Sequence, residues 1–290
     1  MTMIGKTIAV SGASGFIGRH LCEALEKDHR VIKISRKVLL YDRDTLDVIL
    51  SGCDVVINLN GASILKRWTR SYKETMWYSR IDTTRCLRES LNRISLADDR
   101  ERVFISTSAV GIYPPGGPYK ESDDTSGPRF LQRLCREWEQ EAMYPASPTV
   151  RTVIFRLSSV ASVKYGFFAS ILRLARLRVF VSMIDKKNPL PMIVLGDLIR
   201  SYSWAISHPN IRGVYNMSMP EQNRQQNLYI KLQRVNGPML HIVMPDSLIR
   251  LVMGDGVAIF SDTASVETKK WEETGFEYIY TKIDNCLNSI

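Results

Sequence analysis

Long apolar runs are absent from this sequence. No stretch approaches the ~20 apolar residues that a membrane-spanning helix needs, so we expect no transmembrane segment and no membrane partner. The opening MTMIGKTIAVSG has no apolar run long enough for a signal peptide before a strand pattern begins. These two features predict a soluble, cytoplasmic protein.

Cysteine pairs and metal-ligand clusters are also lacking. The five cysteines are odd in number, far apart and without a CxxC, which argues against a disulfide framework. The four histidines show no ligand spacing, so we predict no metal site. Reduced and mostly buried thiols are expected at Cys22, Cys53, Cys86, Cys135 and Cys286.

No block of basic residues and no nucleic-acid-binding signature is visible. The 39 Lys and Arg outnumber the 30 Asp and Glu, giving a net charge of +9, but they are spread along the chain. Excess positive charge favours anionic ligands such as nucleotides, or forms a solvated basic surface. Without a helix-turn-helix, zinc-finger or RNA-recognition pattern, we expect no nucleic-acid partner.

The 290 residues suffice for one large domain or two modest ones. Strand and helix patterns alternate through the first half, with strands at 6–11, 30–35, 54–59, 102–106 and 150–157. This alternation predicts an α/β fold, a Rossmann-type doubly wound parallel sheet. After residue 158 the pattern loosens, with helices expected at 166–177, 197–207, 228–235, 245–253 and 263–273. We therefore expect a nucleotide-binding domain at 1–158 and a smaller substrate-binding lobe at 159–290, interleaved with the sheet.

The strongest local signal is GASGFIG at residues 12–18, between the first strand and the first helix. Glycines permit a tight turn and close backbone approach, while the helix N-terminus offers amide donors to a pyrophosphate. The GxxGxxG spacing in this setting predicts a dinucleotide site. The alternative is a tight turn that binds no ligand.

The end of the second strand indicates which dinucleotide is bound. An NAD site usually carries Asp or Glu there for the ribose 2′-hydroxyl, but this chain has Ser35, Arg36 and Lys37. Arg36 has no acidic neighbour in sequence, and a guanidinium suits a 2′-phosphate. We therefore predict NADP rather than NAD as cofactor; the alternative is a surface arginine.

Two further strand ends add small and polar residues to the same edge. The third strand runs into NLNGA at 58–62, where small residues let the backbone approach a ribose. The fourth ends in STS at 106–108. Because the carboxyl ends of parallel strands line the ligand crevice, these hydroxyls are candidates for binding a substrate carbonyl. Alternatively, these hydroxyls only form capping or turn hydrogen bonds.

GASGFIG, NLNGAS and STSAVGIY resemble the extended short-chain dehydrogenase/reductases of the sugar-nucleotide epimerase/dehydratase superfamily. A closer similarity is to an atypical epimerase-like branch, also described as cell-division-inhibitor-type. Its segments appear here as KRWT at 66–69, TTR at 83–85 and the FLxxLCxxWE helix at 130–139. HPNIRGVYNMS, RLVMGD and ETGFEY extend the resemblance over nearly the whole chain.

The resemblance implies an NADP-binding Rossmann domain, a substrate lobe, and a monomer or homodimer. It implies that Ser108 takes the family's catalytic serine role, with Tyr113 as a proton partner. The cofactor contacts that it and the strand ends imply are Gly12, Ala13, Ser14, Gly15, Phe16, Ile17, Gly18, Ser35, Arg36, Leu59, Asn60, Gly61, Ala62 and Ser106.

The catalytic pair of the superfamily is missing. Its Tyr-x-x-x-Lys pattern falls on Leu131 and Cys135 of this chain. Tyr113 is a candidate replacement that acts as a neutral hydrogen-bond donor or acid rather than as a base. Alternatively, it is a loop tyrosine that packs on Pro114 and Pro115.

The substrate lobe departs from the family as well. Where the branch has a Trp-Ile-His-x-x-Asp segment, this chain has Met192 and Val194 in place of Trp and His. A pocket filled by Met192 or Phe168 would favour a protein without catalytic activity. Three cations are expected near the crevice, where they bind an anionic substrate or form a solvated face: Lys66, Arg67 and Arg80.

Two functions remain open. The first is an NADP-binding, epimerase-like oxidoreductase acting on an unknown small carbonyl or hydroxyl compound or a sugar nucleotide. The second is a non-catalytic NADP-binding regulatory or interaction protein, which the missing Tyr-x-x-x-Lys pair favours.

Overall fold

A computed structural model describes residues 5–98, 100–144, 147–183 and 189–287 of the chain. In chain order the strands are β1 (Thr7–Ser11), β2 (Arg30–Ile34), β3 (Val55–Asn58), β4 (Arg102–Ala109), β5 (Gly116–Tyr119), β6 (Val150–Leu157), β7 (Ser159–Ala161), β8 (Val179–Met183), β9 (Met192–Val194), β10 (Gly213–Met217), β11 (Leu240–Met244) and β12 (Ala264–Val266).

The helices alternate with these strands through the first half of the chain. They are α1 (Phe16–Leu25), α2 (Arg36–Tyr41), α3 (Arg43–Ser51), α4 (Arg70–Ala97), α5 (Phe130–Met143), α6 (Gly166–Arg176), α7 (Leu195–Ser207), α8 (Gln225–Asn236), α9 (Asp246–Met253), α10 (Ala258–Ser261), α11 (Lys269–Glu272) and α12 (Ile283–Leu287).

Six parallel strands form the central sheet, in the order β2-β1-β3-β4-β6-β10. The predicted Rossmann-type parallel sheet is thereby confirmed. After β1 the chain forms β2 on one side of β1, and it then crosses back over β1 to form β3 on the other side. The direction in which strands are added therefore reverses between β1 and β3. Such a switch point opens a crevice at the carboxyl ends of the strands, which is where ligands bind in this class of sheet.

Helices cover both faces of the sheet because its inner strands are apolar on both sides. In β3, Val55 and Ile57 pack towards α1 and α7, whereas Val56 packs towards α3 and α4. Successive residues of a strand point to opposite faces, so a fully buried strand needs this unbroken apolar run. Leu21 of α1 and Leu87 of α4 are completely buried on the two faces.

The part of the chain after residue 158 does not form a separate layer. Helix α7 packs on the sheet through Leu198 and Tyr202, and β10 joins the sheet beside β6. The remaining elements build a small lobe around Phe168, Met192 and Leu228, with β8 paired to β11 and β7 to β9. The division at residue 158 stays a prediction. In the described residues, no helix combines the length and apolarity needed to cross a membrane.

One predicted helix is wrong. Residues 263–273 do not form one helix: β12 pairs with β5, and only the short α11 follows. Ala264 and Val266 are buried while Ser265 between them is not, which is a strand pattern. The strand forms because β12 pairs with β5, which is far away in the chain and therefore leaves no signal in the local sequence. Of the predicted thiols, the side chain of Cys286 lies outside the described residues.

Candidate cofactor and substrate site

The glycine-rich turn packs directly against the end of β3. Gly12 has φ +77°, and a Cβ there would lie 2.7 Å from the carbonyl carbon and oxygen of Leu59. A Cβ on Gly18 would lie 2.3 Å from the carbonyl oxygen of Gly12. Side chains at these two positions would therefore push the turn away from the sheet and fill the cradle.

The N-terminus of α1 faces this cradle without a side-chain cap. Gly15 precedes the helix and caps nothing, and no acidic side chain lies in the first turn. The first amide groups of a helix have no partner within the helix, and they carry a partial positive charge. Ser14 and Gly15 are exposed. This donor set fits a dinucleotide pyrophosphate.

The end of β2 presents an exposed guanidinium, that of Arg36. Ser35 caps α2, its Oγ accepting a hydrogen bond from the Val38 amide at 3.2 Å. Arg36 and Lys37 are exposed. Neither side chain has a hydrogen-bond or ion-pair partner in the described part of the chain. A second exposed cation, Arg19 in α1, was not among the predicted site residues; its position directly after Gly18, the third glycine, was the available signal.

A buried polar network joins the ends of three neighbouring strands. Ser11, Asn58 and Ser106 lie side by side in register. The Asn58 side chain donates to Thr84 Oγ1 at 2.8 Å and to Ser106 Oγ at 3.4 Å, and Ser11 Oγ donates to Asn58 Oδ1 at 3.2 Å. Asn60 Nδ2 donates to Ser11 Oγ at 2.7 Å. These bonds fix the floor of the crevice; Ser11 and Thr84 were not among the predicted site residues.

Arg80 is a structural residue of the turn after β3. The residue is 9% exposed, and its guanidinium donates to the carbonyl oxygens of Met76 and Ala62, both at 3.1 Å. A Cβ on Gly61 would lie 2.9 Å from its Nη2. Arg80 therefore belongs neither to a solvated face nor to an open anion site, and both interpretations offered for it were wrong. Burial lowers the pKa of this guanidinium.

Lys66 and Arg67 differ from Arg80 in being exposed. Lys66 lies over the Tyr72 ring, with its Nζ 5.7 Å from the centroid. The Arg67 guanidinium donates to the carbonyl oxygen of Leu251 in the lobe. This segment therefore contacts the lobe as well as solvent.

The two predicted catalytic hydroxyls belong to one buried network. Ser108 Oγ donates to Glu139 Oε1 at 2.6 Å, and Glu139 forms two hydrogen bonds of 2.8 Å with Arg156. Arg156 Nη1 donates to the Tyr113 hydroxyl at 2.5 Å, and that hydroxyl lies 2.9 Å from Asn216 Oδ1. The ion pair of Glu139 and Arg156 thus connects Ser108 to Tyr113, a link that the sequence did not indicate.

The protonation states in this network follow from burial and charge. Burial raises the pKa of the Tyr113 phenol, and the Arg156 charge offsets this only in part. Burial alone would lower the pKa of Arg156, but the hydrogen bonds and charge of Glu139 outweigh it and raise that pKa. At neutral pH, Tyr113 is therefore a phenol and Arg156 a cation.

The helix that carries Tyr-x-x-x-Lys in the superfamily is α5. Leu131 lies next to Gly111: a Cβ added to Gly111 would lie 3.5 Å from Leu131 Cδ1. One turn later, Cys135 is buried, and burial raises the pKa of its thiol to about 12. A neutral thiol cannot supply the positive charge of the family's lysine.

A pocket of about 190 Å³ lies beyond the carboxyl end of β4. Gly111 and Tyr113 line it on the side of the sheet. Met192 and Phe168, the two residues considered as plugs, pack in the separate core of the lobe and do not line it. Its other walls come from both parts of the molecule, with Trp68, Phe130 and Leu131 on one side and Asp255, Ala258 and Asp262 on the other.

The fold and the glycine cradle define a Rossmann-type α/β protein with a crevice for a nucleotide cofactor. A family model described as the NAD dependent epimerase/dehydratase family matches residues 8–217, well over half of the chain. The chain belongs to this family, and the resemblance inferred from its motifs is confirmed.

Individual relatives resemble the chain over nearly its full length. An epimerase family protein of Staphylococcus haemolyticus is 28% identical and covers 96% of both chains. The chloroplastic epimerase family protein SDR39U1 homolog of Arabidopsis thaliana is 26% identical, covering 98% of this chain and 86% of that protein. The crystal structure of the human epimerase family protein SDR39U1 with NADPH has a TM-score of 0.86 at 23% identity, with 98% of each chain covered.

The Glu139–Arg156 pair allows a prediction about stability. Replacing Arg156 with Met leaves the Glu139 carboxylate buried without its partner, which should lower the free energy of unfolding by about 3–5 kcal/mol. The double variant Arg156→Met/Glu139→Gln should recover a large part of that loss. Urea unfolding measures both, with Arg70→Met at the exposed Arg70–Glu74 ion pair as control. If Arg156→Met lowers the free energy of unfolding by no more than the control variant does, this account is contradicted.

Proposed function

We propose that this protein is an NADP-dependent, epimerase-like oxidoreductase that acts on a small carbonyl or hydroxyl compound or a sugar nucleotide. The observation that carries the proposal is the cradle between the glycine-rich turn, the end of β3 and the uncapped N-terminus of α1. In this proposal, residues 12–18 hold the pyrophosphate. Leu59, Asn60, Gly61 and Ala62 line the ribose side, and Ser106 lies on the nicotinamide side.

The preference for NADP rests on the cations beside the cradle. Arg36 is exposed at the end of β2, where an NAD site carries an acid, and has no ion-pair partner among the described residues. The same holds for the exposed Arg19 in α1. Two cations near a 2′-phosphate would make the site selective for the phosphorylated cofactor. The human relative, whose structure is described as containing NADPH, supports the same assignment.

Bound NADPH supplies a hydride for a carbonyl carbon, and a proton from water or a side chain completes the alcohol. In this proposal the protein positions the reactants. Ser108 and Tyr113 are the candidate catalytic residues, held by Glu139 and Arg156. Because Tyr113 is a phenol at neutral pH, it acts as a hydrogen-bond donor and not as a base.

A second candidate function is a non-catalytic NADP-binding regulatory protein. Leu131 and the neutral Cys135 thiol at the family's catalytic positions favour it. The two functions differ in whether a carbonyl compound causes NADPH to be consumed. Steady NADPH oxidation across a panel of aldehydes, ketones and quinones would support the enzyme; binding without turnover over the whole panel would support the regulator.

The cradle is tested by Gly18→Ala. The added Cβ would meet the Gly12 carbonyl oxygen at 2.3 Å, so the turn must shift and the affinity for NADPH should fall tenfold or more. Gly52→Ala is the control, because a Cβ there finds its nearest atom at 3.7 Å. Calorimetric titration measures both. Parent protein that binds neither NADPH nor NADH at millimolar concentration would refute the proposed function.

Cofactor choice is tested by Arg36→Ala. The parent should bind NADPH more tightly than NADH, and the variant should lose roughly ten- to hundredfold in affinity for NADPH but little for NADH, since only NADPH carries the 2′-phosphate. Lys37→Ala removes the neighbouring exposed cation and should change the preference much less. Equal parent affinities for the two cofactors would overturn the assignment of NADP.

The catalytic residues are tested by Ser108→Ala and Tyr113→Phe with whichever carbonyl compound the parent reduces. Each variant should lower kcat tenfold or more, in keeping with general acid catalysis, with the Kd of NADPH unchanged. Tyr119→Phe is the matched control. The Tyr119 ring stacks on the Tyr113 ring with centroids 5.1 Å apart, so the variant removes a neighbouring hydroxyl and keeps that of Tyr113. Unchanged rates in both variants would remove the two residues from the mechanism.

A further inference from the structure

Half of the lobe carries positive charge and no acidic residue. Residues 162–183 and 222–245 contain seven Lys and Arg and no Asp or Glu. These two segments form α6, β8, α8 and β11, which share the lobe core or pair with one another. Among the described residues, Lys231 is the one cation of the seven with ion-pair partners, the carboxylates of Glu221 and Asp284. This half of the lobe therefore presents a positive surface.

Four elements meet at one end of this half of the lobe. Strands β8 and β11 are parallel, with Leu240 opposite Val179, and the Leu240 amide donates to the carbonyl oxygen of Arg178 at 2.8 Å. Only two residues separate the end of α6 from β8, and only three separate the end of α8 from β11. The C-terminal ends of both helices therefore lie beside the first residues of both strands.

Exposed aliphatic side chains and exposed arginines occur together at this end, which we call the lobe tip. The aliphatic residues Leu177, Val235 and Leu240 are 74%, 60% and 64% exposed. The exposed arginines lie in the last turns of α6 and α8 and directly after α6; they are Arg173, Arg176, Arg178 and Arg234. Arginines at helix C-termini interact favourably with the helix dipole, but this does not account for the aliphatic side chains beside them. Apolar residues grouped within a charged rim are typical of an interaction surface.

The backbone at Arg178 is in a conformation that disfavours an arginine. Its φ is +57°, and it is the one non-glycine residue of the described chain with a positive φ. Helices commonly end with a residue in this left-handed conformation, and that residue is usually glycine because a Cβ is strained there. An arginine kept at the position where glycine would be more stable indicates a use for its charge outside the fold.

We propose that the lobe tip binds the surface of an anionic lipid membrane. The arginines contact lipid phosphates, and Leu177, Val235 and Leu240 enter the boundary between headgroups and acyl chains. A second copy of the chain fits less well, because a symmetric contact would bring arginines against arginines. A nucleic acid would meet aliphatic side chains where stacking aromatic rings are usual. A protein on a lipid surface needs no long apolar run, so the missing runs behind the expectation of no membrane partner do not bear on this site.

The lobe tip lies at the far end of α6 from the cofactor cradle, so its role is independent of the proposed function. Helix α6 has 11 residues and is about 16 Å long. Tyr165 precedes its first turn, and the Tyr165 ring lies 6.1 Å from the ring of Phe16 in the glycine-rich segment. Membrane-bound protein should therefore bind NADPH with the same Kd as free protein. If NADPH binds to neither, the proposed function fails and the lipid site still stands.

Co-sedimentation with phospholipid vesicles tests the lipid site. The parent should bind vesicles that contain phosphatidylserine and not vesicles of phosphatidylcholine alone, and salt should weaken the binding. Arg176→Gln/Arg178→Gln should weaken it about 25-fold, at roughly fivefold per arginine. The control Arg133→Gln/Arg212→Gln removes the same charge from exposed residues outside the lobe and should bind as the parent does. Equal binding to both kinds of vesicle, binding to neither, or an equal loss in the control would overturn the proposal.

The aliphatic contribution is tested by Leu177→Ser/Leu240→Ser, which keeps every charge. Both side chains are exposed, so the variant should fold and keep the melting temperature of the parent. Its binding to phosphatidylserine vesicles should fall at least tenfold, because less apolar surface is buried in the lipid. A labelled single-stranded oligonucleotide serves as the rival ligand. If the parent binds the oligonucleotide more tightly than the vesicles, and the variant binds both as the parent does, the lipid assignment is wrong.

Arg178→Gly separates a binding role of this arginine from a structural one. Glycine relieves the left-handed strain, so the melting temperature should stay the same or rise. Vesicle binding should nevertheless fall about fivefold, since one charge is lost. A variant that is less stable but binds vesicles as well as the parent would show that Arg178 serves the fold, and it would remove this residue from the lipid site.

Discussion

The close approach of the first turn to the end of β3 determines the geometry of the whole crevice. Only a glycine with positive φ lets the backbone at Gly12 lie against Leu59. That contact places the N-terminus of α1 above the strand ends, and the Ser11–Asn58–Ser106 row then holds three strands in register beneath it. A backbone cradle of this kind depends on few side chains.

A buried ion pair between α5 and β6 connects Ser108 to Tyr113. Glu139 lies two helical turns after Leu131 and binds both Arg156 and Ser108. The positive charge near the predicted catalytic tyrosine therefore comes from a strand, β6, rather than from the helix. Unlike a lysine, this guanidinium is neutralised by a bidentate carboxylate, so it orients the phenol of Tyr113 more than it acidifies it.

The local sequence was sufficient to predict the sheet and the cradle because both depend on residues that are close together in the chain. The apolar run of β3 requires burial on both faces, and glycines in a strand–turn–helix setting have few other uses. Arg80 was misread because its partners are the carbonyl oxygens of Met76 and Ala62, and no sequence pattern distinguishes such an arginine from an exposed one. The helix expected at 263–273 failed for a related reason: pairing with β5, far away in sequence, overrides local preference.

The pocket beyond β4 could not be predicted because chain segments that are far apart in sequence build it. Lys73 and Asp255 are 182 residues apart, yet they form one of its two ion pairs. Such pairing decides whether the charge of a lysine is free to attract an anionic ligand or is already neutralised by a carboxylate. The net charge suggested an anionic ligand, and in the proposed function that ligand is the cofactor, beside the exposed Arg19 and Arg36. At the pocket, Lys73 and Arg129 are each neutralised by an aspartate, Asp255 and Asp262 respectively.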